Sequence, residues 1–358
     1  MASPQQQPVR DLFHYLRLKI FVLVFRLLLR WRTAEHIRRD SAILPLSEAG
    51  VRKQRIEIPS SHGGRSIVAD LYLPTPPYDS DNGDGKEDND ALGKGIKQKR
   101  HLPVLVNWHG SGFVFPLHGT DAYFCTRMAR DAGVAVLDAD YRKAPECPYP
   151  AAIDDAEDAL RWVASSSASA SYKLDPLRVA VSGFSAGGHI AAVAASHLRK
   201  KLEMDENQLK IQMLLSVYGS SDLATDGAAK TPPSPVAACA PAVDPEHVRR
   251  RLRARPAARA HRLGRVAVVC GPGRVPCDGG VLDKKTENDD DDGNDANGNV
   301  EKIQKKRDVH YKMLEGVCHA FDKGLKEDGN SGSLAWTRRE EAYAWAASLL
   351  KVALHPKL

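Results

Sequence analysis

One serine in this chain stands where a nucleophile could be made. Residues 183–187 read Gly183-Phe184-Ser185-Ala186-Gly187, a G-x-S-x-G and the only one in the sequence. A short apolar run bounded by Pro176 and Gly183 precedes it, as for a buried strand, and an Ala-rich helical pattern follows Gly188. A sharp strand-to-helix turn needs neighbours without bulky side chains, and it lifts the serine hydroxyl above the sheet edge. The first N–H groups of the following helix then point to the same place, where an oxyanion can be held. The competing reading is an ordinary tight turn around a buried, satisfied serine.

The elements needed to position such a serine can be traced in order. Residues 12–31, LFHYLRLKIFVLVFRLLLRW, predict a helix that is apolar over most of its circumference, with Lys19, Arg26 and Arg30 on one narrow stripe. Three readings stand: a helix packed over the site, a helix lying in a membrane surface, or a span. The longest uninterrupted apolar run is only residues 20–25, short of the roughly 20 residues a span needs. No small-residue cleavage site follows Trp31, so a removable signal peptide is not expected.

Strands are expected at 55–58, 66–72, 103–108, 134–139, 179–181, 211–217, 266–270 and 309–314, and helices at 121–132, 151–165 and 333–350. Alternating strands and helices predict an α/β fold, a mostly parallel sheet with helices on both faces. Catalytic groups then belong at the carboxyl ends of the strands, where Gly110 and Ser185 both fall. Two stretches, 74–100 and 284–307, are polar and aperiodic and read as surface insertions. Neither meets the spacing of a calcium loop.

Four stretches together resemble the hormone-sensitive-lipase-like group of α/β hydrolases, the α/β-hydrolase-3 domain. They are HGSGF at 109–113, DYRKAPECPYPAAIDDA at 140–156, GFSAGG at 183–188, and Gly316-Val317-Cys318-His319-Ala320-Phe321. The resemblance covers roughly residues 50–222 and 305–355. It implies an α/β-hydrolase fold with a partial helical cap, and a serine carboxylic-ester hydrolase acting through an acyl-enzyme. The implied roles are Ser185 as nucleophile, His319 as general base and then acid, and backbone N–H groups of Gly110, Ser111 and Ala186 as the oxyanion hole. His109 reads as a structural brace for its loop. No metal or organic cofactor is implied, and the partner is a small-molecule ester with a small or medium acyl group. Ser111 replaces a family glycine and Phe184 the usual aspartate.

The catalytic acid is less clear. The family carries it just after the strand before the histidine strand, in G-x-x-D-x-L-x-D. Here that stretch reads Gly271-Pro272-Gly273-Arg274-Val275-Pro276-Cys277-Asp278, so Arg274 holds the first acidic position. Asp278 is the nearest candidate and Asp283 a weaker one. Residues 249–274 hold nine arginines and no acid. A basic surface helix with a repositioned acid, a decayed site that only binds ligand, and a mistaken reading frame each account for this. The expected organisation is an N-terminal cap or membrane-surface helix at 1–50, hydrolase core at 51–222, an atypical cap at 223–265 and the rest of the core at 266–358.

Composition narrows the classes further. The chain has 358 residues, 42% hydrophobic and 27% charged, as expected of a globular domain. The net charge of +6 comes largely from the Arg-rich stretch and does not follow a nucleic-acid-binding module. Six cysteines without C-x-x-C spacing point to a reducing, cytoplasmic compartment and to no structural zinc.

Overall fold

The computed structural model describes residues 7–75, 101–205, 208–219, 265–270, 308–313, 322–323 and 333–355. Eight strands form one sheet: β1 (Val51–Pro59), β2 (Ser66–Pro74), β3 (Leu102–Trp108), β4 (Ala135–Ala139), β5 (Leu174–Phe184), β6 (Ile211–Val217), β7 (Arg265–Cys270) and β8 (Asp308–Met313), in the order β1-β2-β4-β3-β5-β6-β7-β8. The β1–β2 and β2–β4 pairs are antiparallel, and β4, β3, β5, β6, β7 and β8 run parallel. This is the α/β arrangement that the alternating pattern predicts.

The helices among the described residues are α1 (Gln7–Ile43), α2 (Leu46–Ala49), α3 (Ala122–Ala132), α4 (Ala151–Val163), α5 (Ser166–Tyr172), α6 (Ala186–Val193), α7 (Arg199–Met204) and α8 (Leu334–Leu354). A π-helical turn, Ala194–Leu198, joins α6 to α7. Strand alternation divides the core between the two sheet faces. Val104, Val106, Val179 and Val181 pack with Ala156, Leu160 and Ile190 of α4 and α6. Leu105 and Ala180 face the other way, toward Phe124 and Met128 of α3 and Tyr343 and Leu350 of α8. Each fully buried Val, Leu, Ile, Phe or Met side chain among these contributes about 1.5–3 kcal/mol, and together they fix which face each helix covers.

Several elements differ from expectation. The 151–165 helix stops at Val163, and Ser165 caps a separate helix by accepting from the Ala168 N–H. Strand β5 runs past both ends of the apolar run, including the bounding Pro176 and Gly183. Pro74 is paired with Val51 as the last residue of β2, and Arg265 is paired with Met213 in β7. The first insertion therefore begins later than 74, and β7 begins inside the Arg-rich stretch, one residue before the expected start of the second part of the core at 266. Residues 76–100, 221–264 and 271–307 lie outside the described residues.

Helix α1 runs 37 residues, longer than the 12–31 segment. Among the described residues no helix is long and apolar enough to cross a membrane; in α1 the apolar pattern is interrupted by Arg17, Lys19, Arg26 and Arg30. Arg26 instead reaches into the body, donating to the carbonyls of Val114 (3.0 Å) and Ala144 (2.8 Å) and pairing with Glu146 (3.0 Å).

Candidate active site

The parallel strands bring the chemical residues to one edge. Trp108, the last residue of β3, is in register with Gly183, and Phe184 with Val217 of β6. The His109 loop and Ser185 therefore leave the sheet side by side. Strands β7 and β8 continue the same register, with Val217 opposite Val269 and Cys270 opposite Met313. The strands expected to lead to Asp278 and His319 thus end at the Ser185 edge. Asp278, Asp283 and His319 themselves lie outside the described residues.

Ser185 has φ +50° and ψ −113° and opens α6. A positive φ at a residue with a Cβ is strained, by about 1–3 kcal/mol. The surroundings impose it: the Ser185 N–H donates to Val217 O (3.0 Å), and the His189 N–H donates to Ser185 O (3.2 Å). The motif glycines are required by close approach. A Cβ on Gly183 would lie 2.2 Å from the Gly187 carbonyl, and one on Gly187 only 1.8 Å from Trp108 O. The start of α6 thus rests directly on the end of β3, which the spacing of the motif could not show.

The loop after β3 closes against this turn. A Cβ on Gly110 would sit 3.4 Å from the Ser185 Cβ. Ser111 tolerates its family-glycine position because the left-handed residues are the next two, Gly112 (φ +56°) and Phe113 (φ +61°). Its hydroxyl also completes a relay. Phe113 N–H donates to Ser111 Oγ (2.9 Å), Ser111 Oγ is 2.6 Å from Tyr141 Oη, and Tyr141 Oη donates to His109 O (2.7 Å). The Tyr141 ring stacks on His109 at 4.7 Å. His109 is fully buried, and burial pushes its pKa well below the imidazole range, so it is neutral. These contacts make it a brace for the loop, as expected. Among the described residues, the backbone N–H groups of Gly110, Ser111 and Ala186 donate to no acceptor. Three donors are therefore left beside Ser185.

A buried polar network, not anticipated from the sequence, runs beneath these loops. Ser182 Oγ donates to Asn107 Oδ1 (2.8 Å), and Asn107 Nδ2 donates to Asp138 (2.9 Å) and Asp121 (3.0 Å). Lys323 Nζ bridges Asp121 (2.6 Å) and Asp322 (2.9 Å), and Asp322 accepts from Tyr218 Oη and Tyr343 Oη at 2.6 Å each. Burial works to raise the Asp322 pKa, but Lys323 and the two tyrosine hydroxyls hold it below the usual carboxylate range. Phe184 fits this setting: its ring lies 4.0 Å from Lys323 Nζ and edge-on to Phe124 at 4.9 Å. The signal available in the sequence was Asp322-Lys323 directly after the apolar end of the histidine motif. Among the described residues no group of three or more His, Cys, Asp or Glu side chains gathers as a metal site.

Residues 105–276 match the family model of the α/β-hydrolase fold. That segment belongs to the α/β-hydrolase family. The chain is 46% identical over 101 residues to carboxylesterase NlhH of Mycobacterium tuberculosis, covering 28% of this chain and 30% of that protein. It is 35% identical over 110 residues to an ethyl acetate hydrolase of Pseudomonas putida, covering 31% of this chain and 34% of that one. The chain thus spans about a third of the length of the curated relatives it matches. Among solved structures it is similar to the esterase LipW of Mycobacterium marinum, with TM-score 0.55, 21% identity and coverage of 94% of this chain and 90% of that one. A hyperthermophilic esterase of Pyrobaculum calidifontis gives TM-score 0.54 at 20% identity, with 98% and 97% covered. These structures share the α/β-hydrolase fold with this chain.

Proposed function

We propose that this α/β hydrolase is a serine carboxylic-ester hydrolase that works through an acyl-enzyme. The observation that carries the reading is Ser185 at φ +50° beside N–H groups of Gly110, Ser111 and Ala186 that donate to no acceptor among the described residues. Ser185 Oγ attacks the ester carbonyl while His319 takes its proton. The carbonyl oxygen becomes an oxyanion, stabilised by the three backbone donors, each worth on the order of 10²–10³ in turnover. Collapse breaks the carbonyl–alkoxide bond, and His319 returns the proton to the departing alcohol. Water, deprotonated by His319, then attacks the acyl-serine and releases the carboxylic acid. Asp278 is the candidate for orienting His319, a role worth around 10⁴ in rate in a serine-protease triad.

Small or medium acyl esters are the proposed substrate class. The names of the matched relatives, a carboxylesterase and an ethyl acetate hydrolase, support it. The test is hydrolysis of p-nitrophenyl acyl esters together with labelling by a fluorophosphonate probe. Ser185→Ala should abolish both. Turnover unchanged in that variant would refute the mechanism. A wild-type chain that neither turns over nor labels would identify a ligand-binding member of the fold.

A further inference from the structure

Helix α1 is turned inside out for a helix in water. The positions that face the body recur every three or four residues, at Lys19, Val22, Arg26, Leu29, Thr33, Ile37 and Asp40. Charged and polar residues thus occupy much of the inward stripe, with Arg26 spent on internal bonds. The opposite face carries Phe13, Ile20, Val24, Leu27, Leu28 and Trp31, with Phe13 71%, Leu28 68% and Trp31 79% exposed. An exposed apolar face of this kind marks an interaction site. Arg17 projects within it and Arg30 and Arg32 lie to either side, all exposed, and residues 12–34 contain no acid.

We infer that this face of α1 lies in the interface of an anionic lipid bilayer. Phe, Leu and Trp side chains would bury into the headgroup–acyl boundary, as in interfacial helices. The arginines would reach up along their own alkyl stems to the phosphates and carboxylates of the headgroups. The Arg26 anchor and the Phe25–Phe115 contact, at 5.3 Å, tie α1 to the loop that follows His109-Gly110-Ser111. Docking therefore holds the Ser185 edge close to the bilayer, where apolar esters partition.

The test is co-sedimentation of the full chain with vesicles of phosphatidylcholine alone and of phosphatidylcholine with phosphatidylserine. Binding is measured without reference to turnover, so its failure is separate from failure of the hydrolase reading. The wild type should prefer the anionic vesicles and lose affinity as salt rises. Leu28→Glu with Trp31→Glu should weaken binding by on the order of 10²-fold or more, with the thermal melt unchanged because both side chains are exposed. Replacing Arg17, Arg30 and Arg32 with Gln should weaken it by about fivefold each. No binding, equal binding to neutral vesicles, or binding indifferent to the two glutamates would overturn the inference. So would a self-association, seen by analytical ultracentrifugation, that the glutamates abolish in a chain that ignores vesicles.

Discussion

Gly187→Ala is the sharpest perturbation that the site offers. The new methyl would lie 1.8 Å from Trp108 O, 2.5 Å from Trp108 C and 2.8 Å from His109 O, all backbone atoms. Real Cβ contacts essentially never fall below 3.0 Å, so α6 and the end of β3 must part by at least ~1.2 Å. Nothing flexible can yield instead, because Trp108 is in register with Gly183 in the middle of the sheet. Overpacking of this kind costs about 1–3 kcal/mol or more. The same movement would separate Ala186 from Gly110 and Ser111, and misplacement by about 1 Å can cost 10²-fold in rate. The assay pairs urea unfolding with p-nitrophenyl ester kinetics. Gly112→Ala serves as control: its φ is +56°, but nothing lies within 4 Å of the added methyl, so only the left-handed penalty of about 1–2 kcal/mol applies. Gly187→Ala should lose stability and most of kcat. If it were as stable and active as wild type while Gly112→Ala was not, the account of the turn would be refuted.

Tyr141→Phe keeps the stack on His109 but removes the hydroxyl that joins Ser111 Oγ to His109 O. A loss of about 1–3 kcal/mol in stability is expected, with kcat falling and KM nearly unchanged; an unaltered kcat would mean the loop does not need this brace. Asp322→Ala should destabilise by about 3–5 kcal/mol, because it strips Lys323 of one of its two buried partners. Since the native Asp322 pKa is lowered, its contribution is present above the ordinary carboxylate range and lost as pH falls through the native value. The acid limb of a urea-unfolding profile should accordingly flatten in the variant, and an unchanged limb would contradict the network. Asp40 behaves oppositely. Burial, offset in part by Lys323 and Arg339, raises its pKa to about 6, against about 3.9 unfolded. Ionising it in the native state costs roughly 3 kcal/mol, so stability from this group rises as pH falls from about 6 to about 4. Asp40→Asn should be more stable than wild type above pH ~7, with the gain vanishing in acid; a gain independent of pH would reject this.

The local chemistry was legible because local pattern carries it. Strand runs such as 103–108 and 211–217, the helical spacing of 121–132 and the glycines around Ser185 each act over a few residues, and the structure places them as expected. The brace role of His109 was also readable there, from its place at the head of the family motif. Phe184 and Ser111, which depart from that motif, became intelligible only through partners far away in sequence: Lys323 for one, Tyr141 for the other.

The sequence by itself determined the α/β order of elements, the turn at Ser185 and the position of the loop at Gly110. Tertiary structure decided how these meet. Asp322 joins Tyr218, 104 residues away, because Tyr218 directly follows β6 and α8, packed against β6, brings Tyr343 to the same carboxylate. The outward face of α1 was likewise undecided, because its pattern shows an apolar circumference with one basic stripe but not which side is turned inward. Arg26 settles that by finding Val114 O, Ala144 O and Glu146 on the body. The physical reason is that short-range periodicity selects an element, whereas the partner of a buried charge is chosen only when distant segments close around it.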